Sequence, residues 1–113
     1  MAQLAVELPQ VYLQPGEFHV AHKPAILRTV LGSCVGVTFW SFRLGIGALC
    51  HGVLPKSPTK VMGVEGYRYV DFAICNLVSK FEGFGATREE LQIKVFGGAD
   101  VLPVHPSLSL IHI

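Results

Sequence analysis

Two side chains in the first half of the sequence have the types that together do nucleophilic chemistry: the thiol of Cys34 and the imidazole of His51. Cys34 follows a Gly32-Ser33 turn and precedes an apolar run, Val35-Gly36-Val37-Thr38-Phe39-Trp40. A thiol at the mouth of a strand can face a cleft, whereas a thiol in mid-strand packs. Two strands joined by a tight turn between Trp40 and Leu44 fold His51 back beside the cysteine. An imidazole within reach of a thiol takes its proton and leaves a thiolate, the reactive form. The base matters because an ordinary free thiol, with a pKa of about 8.5, is only a few per cent ionised at neutral pH.

The residues nearby have plainer uses. Cys50 adjoins His51 on the same predicted strand, and successive strand side chains point to opposite faces. If His51 faces the cleft, Cys50 faces away and is no nucleophile. Ser33 reads as a turn residue, and the backbone N–H groups around Ser33 and Cys34 are natural donors to an oxyanion. Metal binding is the rival use of the histidines and cysteines, but His19, His22, Cys34, Cys50 and His51 match no structural zinc spacing. Gly45-x-Gly47 lacks the third glycine and following helix of a phosphate loop.

The elements that must position these groups follow from pattern. Phe18 to Ala21, Ala25 to Leu31, Val35 to Trp40 and Gly45 to Leu54 read as strands, with a looser alternation before Pro15. Pro55 to Gly66 reads as a loop beside His51 that can contact substrate. Val70, Ile74, Leu77, Val78 and Phe81 recur at helical period and predict a helix from Arg68 to Glu82, stopped by Gly83 and Gly85. Cys75 flanks that stripe and is expected to pack. Thr87-Arg88-Glu89-Glu90 matches a capping box, yet Leu91 to Phe96 alternates like a strand, so the box is expected to cap a single turn.

The sequence has 113 residues, half of them hydrophobic, with a formal net charge of +1. That length is one small domain, and that charge offers no footprint for nucleic acid or an anionic membrane surface. Three cysteines without CxxC spacing fit a reduced compartment better than a disulfide framework. No signal peptide is apparent, and Val30 to Leu54 is too interrupted to span a bilayer, so a cytoplasmic protein is expected.

Several blocks in order carry a family resemblance: Thr29-x-Leu31-Gly32-Ser33-Cys34-Val35, Gly45-x-Gly47 followed by His51 and Leu54-Pro55, Tyr67 to Ala73 with its Y-x-D-x-A pattern, and Lys94-x-Phe96-Gly97-Gly98-Ala99. Together they resemble CheD, the chemoreceptor glutamine deamidase family of bacterial chemotaxis. The resemblance implies an α+β fold, a mixed and mostly antiparallel β-sheet with one long helix packed on it, like the cysteine hydrolase of cytotoxic necrotizing factor. It implies Cys34 as nucleophile, His51 as base and Thr29 as the third member that orients the imidazole. No cofactor is implied. The implied substrates are the cytoplasmic helices of methyl-accepting chemotaxis proteins, and a CheC-type phosphatase is the implied partner.

The similarity runs from about Pro15 to Leu102. A deamidase domain at 1–102 is therefore expected, truncated relative to the family, with 103–113 a non-native or frameshifted tail. A docking module for receptor or phosphatase helices, with weak catalysis, is the alternative function. Peptide or ester cleavage by the same thiol is a third.

Overall fold

The computed structural model describes residues 7–58 and 63–97. The tail expected at 103–113 lies outside the described residues, as do Lys60 and Gly98. Seven elements follow in chain order: β1 (Gln10–Tyr12), β2 (Phe18–Ala21), β3 (Ile26–Arg28), β4 (Val35–Ser41), β5 (Ile46–Gly52), α1 (Val70–Gly83) and β6 (Gln92–Gly97).

The architecture is the expected α+β arrangement, with its strands in two sheets. Strands β2, β5, β4 and β6, in that order, form an antiparallel sheet. Strands β1 and β3 pair in parallel as a separate two-stranded ribbon. The turn at the heart of the main sheet joins β4 to β5: the Gly45 N–H donates to the Ser41 carbonyl at 2.8 Å, with Gly45 at φ +67°. A side chain is strained at that φ and glycine is not, so the chain can reverse there.

Period-two alternation divides the sheet into two faces. Val35, Val37 and Phe39 of β4 lie opposite Gly52, Cys50 and Ala48 of β5, and this face carries the core. Helix α1 covers it with Val70, Ala73, Leu77 and Phe81, all buried, while Ile74 and Val78 pack at the margin. Burying a side chain such as Phe81 or Leu77 contributes about 1.5–3 kcal/mol. The other face presents Gly36, Thr38 and Trp40 of β4 and Gly47, Leu49 and His51 of β5.

Some sequence expectations are corrected. The strand expected over 25–31 is limited to β3, because Arg28 is the last residue to pair with β1 and the chain then leaves for the Thr29–Cys34 segment. The helix begins at Val70, since Gly63–Arg68 forms a 3-10 turn whose Arg68 carbonyl accepts from Val53 and Leu54 N–H. Cys75 is exposed, not packed. One face of α1 suffices to cover the sheet, and Cys75 lies beyond the Val70–Leu77–Phe81 stripe. The capping box forms as expected around Arg88–Glu90, with both reciprocal bonds present, and the strand β6 follows.

The helix and sheet meet closely at Gly52, where a Cβ would stand 2.5 Å from Val70 Cγ2. Gly52→Ala is therefore expected to destabilise the protein by about 1–3 kcal/mol, through overpacking that pushes β5 and α1 apart. Urea unfolding monitored by circular dichroism measures it.

Candidate active site

His51 lies in β5, one position before its end, and is 2% exposed. Its backbone is held on both sides: the His51 N–H donates to the Glu17 carbonyl at 3.0 Å, and the His51 carbonyl accepts from Gly16 N–H at 2.8 Å. The ring is held as well. Thr29 Oγ1 lies 2.7 Å from His51 Nδ1 and 2.8 Å from the carbonyl oxygen of Leu13. A carbonyl only accepts, so the single hydroxyl proton of Thr29 goes to Leu13. Thr29 Oγ1 then accepts from Nδ1–H. The network assigns the neutral imidazole its proton on Nδ1 and leaves the lone pair on Nε2. Nε2 is buried and has no hydrogen-bond partner among the described residues.

An unpartnered basic nitrogen in a buried position is costly, and such exceptions call for an explanation. Burial also lowers the pKa of His51 from its usual value, which keeps the ring neutral at pH 7. A neutral imidazole with a free Nε2 is a proton acceptor.

Cys34 immediately precedes β4 and is half-buried. The register pairs Gly36 with His51 and Val35 with Gly52. Cys34 itself lies in a bend, one residue before the first β4–β5 pair and two before Gly36, and its thiol makes no hydrogen bond to His51 Nε2. Gly36, directly across from His51, contributes no side chain, and a Cβ there would stand 3.2 Å from Leu31 Cδ1. The Leu31 side chain thus lies over Gly36, opposite the base.

Cys50 is fully buried in the helix-facing core. Desolvation pushes its thiol up to about 12, which keeps it protonated and unreactive. Alternation separates it from His51 as the sequence pattern implied.

The fold thus joins Thr29 to His51 directly, and Cys34 stands in the bend two residues before Gly36, the residue paired with His51. Sequence reasoning missed the Leu13 carbonyl, which fixes the Thr29 hydroxyl, and a main-chain acceptor leaves no residue-type signal by which to find it. It also missed that Gly36 stands opposite the base. A cavity of about 740 Å³ lies farther along the sheet, lined by Leu27, Thr38, Trp40, Leu49 and Lys94 among others and by none of Thr29, Cys34 and His51. Leu49 is two residues from His51, so the cavity and the imidazole share one surface of the sheet. Among the described residues, no group of three or more His, Cys, Asp or Glu side chains is placed to hold a metal ion. No helix among them is long and apolar enough to cross a membrane.

Comparison with known proteins places the chain in a family. The family described as "CheD chemotactic sensory transduction" matches residues 53–111. The chain is 46% identical over 96 residues to a Geobacter sulfurreducens protein named "Probable chemoreceptor glutamine deamidase CheD 2", covering 85% of this chain and 58% of that protein. It is 39% identical to a Pseudomonas savastanoi protein named "Probable chemoreceptor glutamine deamidase CheD", over 88% of this chain and 56% of the relative. A Maridesulfovibrio salexigens protein with the same name is 35% identical over 97% of this chain and 69% of its own length. The chain spans less than two thirds of the first two relatives.

Proposed function

Because this chain belongs to the CheD family, we propose that it is a protein-glutamine deamidase, hydrolysing the side-chain amide of glutamines on chemoreceptors. The observation that carries the reading is the free Nε2 of His51, held in that tautomer by Thr29 and the Leu13 carbonyl.

His51 Nε2 takes the Cys34 proton, and the thiolate attacks the carboxamide carbon. The tetrahedral oxyanion is stabilised by backbone N–H groups around Ser33 and Cys34. The imidazolium returns its proton to the amide nitrogen, the C–N bond breaks, and ammonia leaves a thioester on Cys34. His51 then takes a proton from water, hydroxide attacks the thioester, and glutamate departs as the thiol is restored. No cofactor enters. Each turnover adds one negative charge to a helix surface. The enzyme works in the cytoplasm on receptor helices, and a CheC-type phosphatase is its second partner.

The test is mass spectrometry of a purified cytoplasmic chemoreceptor fragment, together with an ammonia assay. A gain of about one mass unit per modified glutamine with equimolar ammonia is expected from this acyl transfer. Chain cleavage would point to a peptidase instead, and receptor binding without mass change to a docking module.

Thr29 acts as a positioning residue. Thr29→Val removes the acceptor of Nδ1–H and is expected to lower kcat/KM by about tenfold to a hundredfold, while Thr29→Ser keeps most of the activity. Nitrogen-15 shifts of His51 check the cause: Nε2 is the unprotonated nitrogen in the parent and in Thr29→Ser, and loses that fixed state in Thr29→Val.

A further inference from the structure

The chain of bonds that fixes His51 does not end at the Leu13 carbonyl. That carbonyl and the Gln14 N–H belong to one peptide group, and the Gln14 N–H donates to Glu17 Oε1 at 2.8 Å. The groups therefore stand in line. His51 Nδ1–H donates to Thr29 Oγ1 at 2.7 Å, the Thr29 hydroxyl donates to the Leu13 carbonyl at 2.8 Å, and the other end of the same peptide donates to a carboxylate. The line starts at the surface, where Glu17 is exposed, and ends inside, where Leu13 is 1% and His51 2% exposed.

The local sequence builds the outer end. Pro15 and Gly16 form the centre of a turn in which the Glu17 N–H donates to the Gln14 carbonyl at 3.0 Å, with Gly16 at φ +85°. Proline followed by glycine at positive φ is the pattern of a type II turn. The turn sets residue 17 across from residue 14, so the Glu17 side chain has only that gap to span. The same turn grips the base from behind, through the Gly16 N–H and the Glu17 carbonyl bonded to the His51 main chain.

A carboxylate is a stronger acceptor than a neutral oxygen. Hydrogen bonds in series polarise one another, and more so away from water. Pulling on the Gln14 N–H makes the Leu13 oxygen a better acceptor for the Thr29 hydroxyl, and the Thr29 oxygen then accepts better from Nδ1–H. Both steps favour the tautomer with a bare Nε2. Both strengthen when the ring takes the Cys34 proton and becomes cationic.

We propose that Glu17 is a positioning residue, the anionic end of a relay through the Leu13–Gln14 peptide and Thr29 that holds His51 in its proton-accepting state. The relay stands on these hydrogen bonds, and its effect on turnover rests on the deamidase reading. Glu17 acts through the base, so its loss falls on kcat and not on KM.

The experiment uses Glu17→Ala and Glu17→Gln in the whole chain. Both keep the main chain of residue 17, and with it the turn and its bonds to His51. Proton and nitrogen-15 spectra of His51 are read without substrate, and ammonia release is read with a purified cytoplasmic chemoreceptor fragment. In Glu17→Ala the Nδ1–H resonance should move upfield and exchange faster with water, and the Nδ1 and Nε2 shifts should move towards each other. Its kcat should fall about threefold to tenfold with KM within about twofold, the scale of one hydrogen bond. Glu17→Gln, whose carboxamide oxygen still accepts the Gln14 N–H, should keep the parent tautomer and most of kcat. A His51 spectrum in Glu17→Ala that matches the parent's would overturn the relay. A Glu17→Gln spectrum as disturbed as that of Glu17→Ala would assign the effect to charge alone and overturn the bonded path. An altered spectrum with unchanged kcat, or a loss that falls on KM, would overturn the role in turnover. A parent chain that releases no ammonia defeats the deamidase reading, while the spectra still decide the relay.

Discussion

Cys34→Ala is expected to reduce ammonia release from a receptor fragment to background, a loss of at least about 10³-fold in kcat. No neighbouring group can substitute for the thiol. Cys50, the nearest cysteine in sequence, faces the core, and its protonated thiol is held there by desolvation. Cys75 is on the exposed side of α1. The loss should come without unfolding. Cys34 is half-buried in a turn ahead of β4, so truncation there removes little packing and should shift stability by less than about 1 kcal/mol. The matching control is Cys50→Ala, which should keep parent-like kcat while unfolding at lower urea, because it opens a cavity in the core. Ammonia release and urea midpoints, measured on both variants, separate chemistry from folding. Parent-like turnover in Cys34→Ala would remove the thiol from the mechanism.

His51→Asn is expected to lower kcat/KM by about 10²- to 10⁴-fold, the usual range for losing a positioned base. Asparagine is chosen because its carboxamide nitrogen can still donate towards Thr29 while nothing replaces Nε2. The residual activity should rise with pH, as hydroxide takes over the deprotonation of the thiol. In the parent protein, burial lowers the His51 pKa below its ordinary 6.5. The acid limb of kcat/KM should accordingly fall below pH 6.5 and vanish in His51→Asn. The same shift bears on stability. Below about 6.5 the unfolded chain takes up a proton at His51 that the folded chain refuses, so this contribution is intact above that pH and is lost as pH falls, levelling off beneath the folded-state pKa. The parent should therefore become easier to unfold with urea from pH 7 to pH 5, and His51→Asn should lose that part of the slope.

Much of this protein was legible in its residues. The apolar run from Val35 to Trp40 marks β4, and the tight turn after Trp40 marks the hairpin that returns His51 to the neighbourhood of Cys34. Alternation alone separates Cys50 from His51, because period two is a property of every extended chain. The helical stripe of Val70, Leu77 and Phe81 is equally local. These signals survive because each arises from a few consecutive residues and needs no knowledge of what lies across from them.

What tertiary structure alone decided is the state of the imidazole and the company it keeps. The strand near residue 26 pairs with β1 in a separate ribbon, and that pairing brings the Leu13 carbonyl to Thr29. A main-chain oxygen is the same in every residue, so no sequence pattern identifies the one that will fix a hydroxyl, and through it a tautomer. The hydrogen bonds between Asp71 and Ser57 depend likewise on where the chain after β5 crosses the start of α1. The exposure of Cys75 depends on how narrow a stripe of the helix the sheet requires. Residue types and local spacing specified which groups were available for chemistry; the long-range packing of two sheets and a helix determined which nitrogen was left free to take part in it.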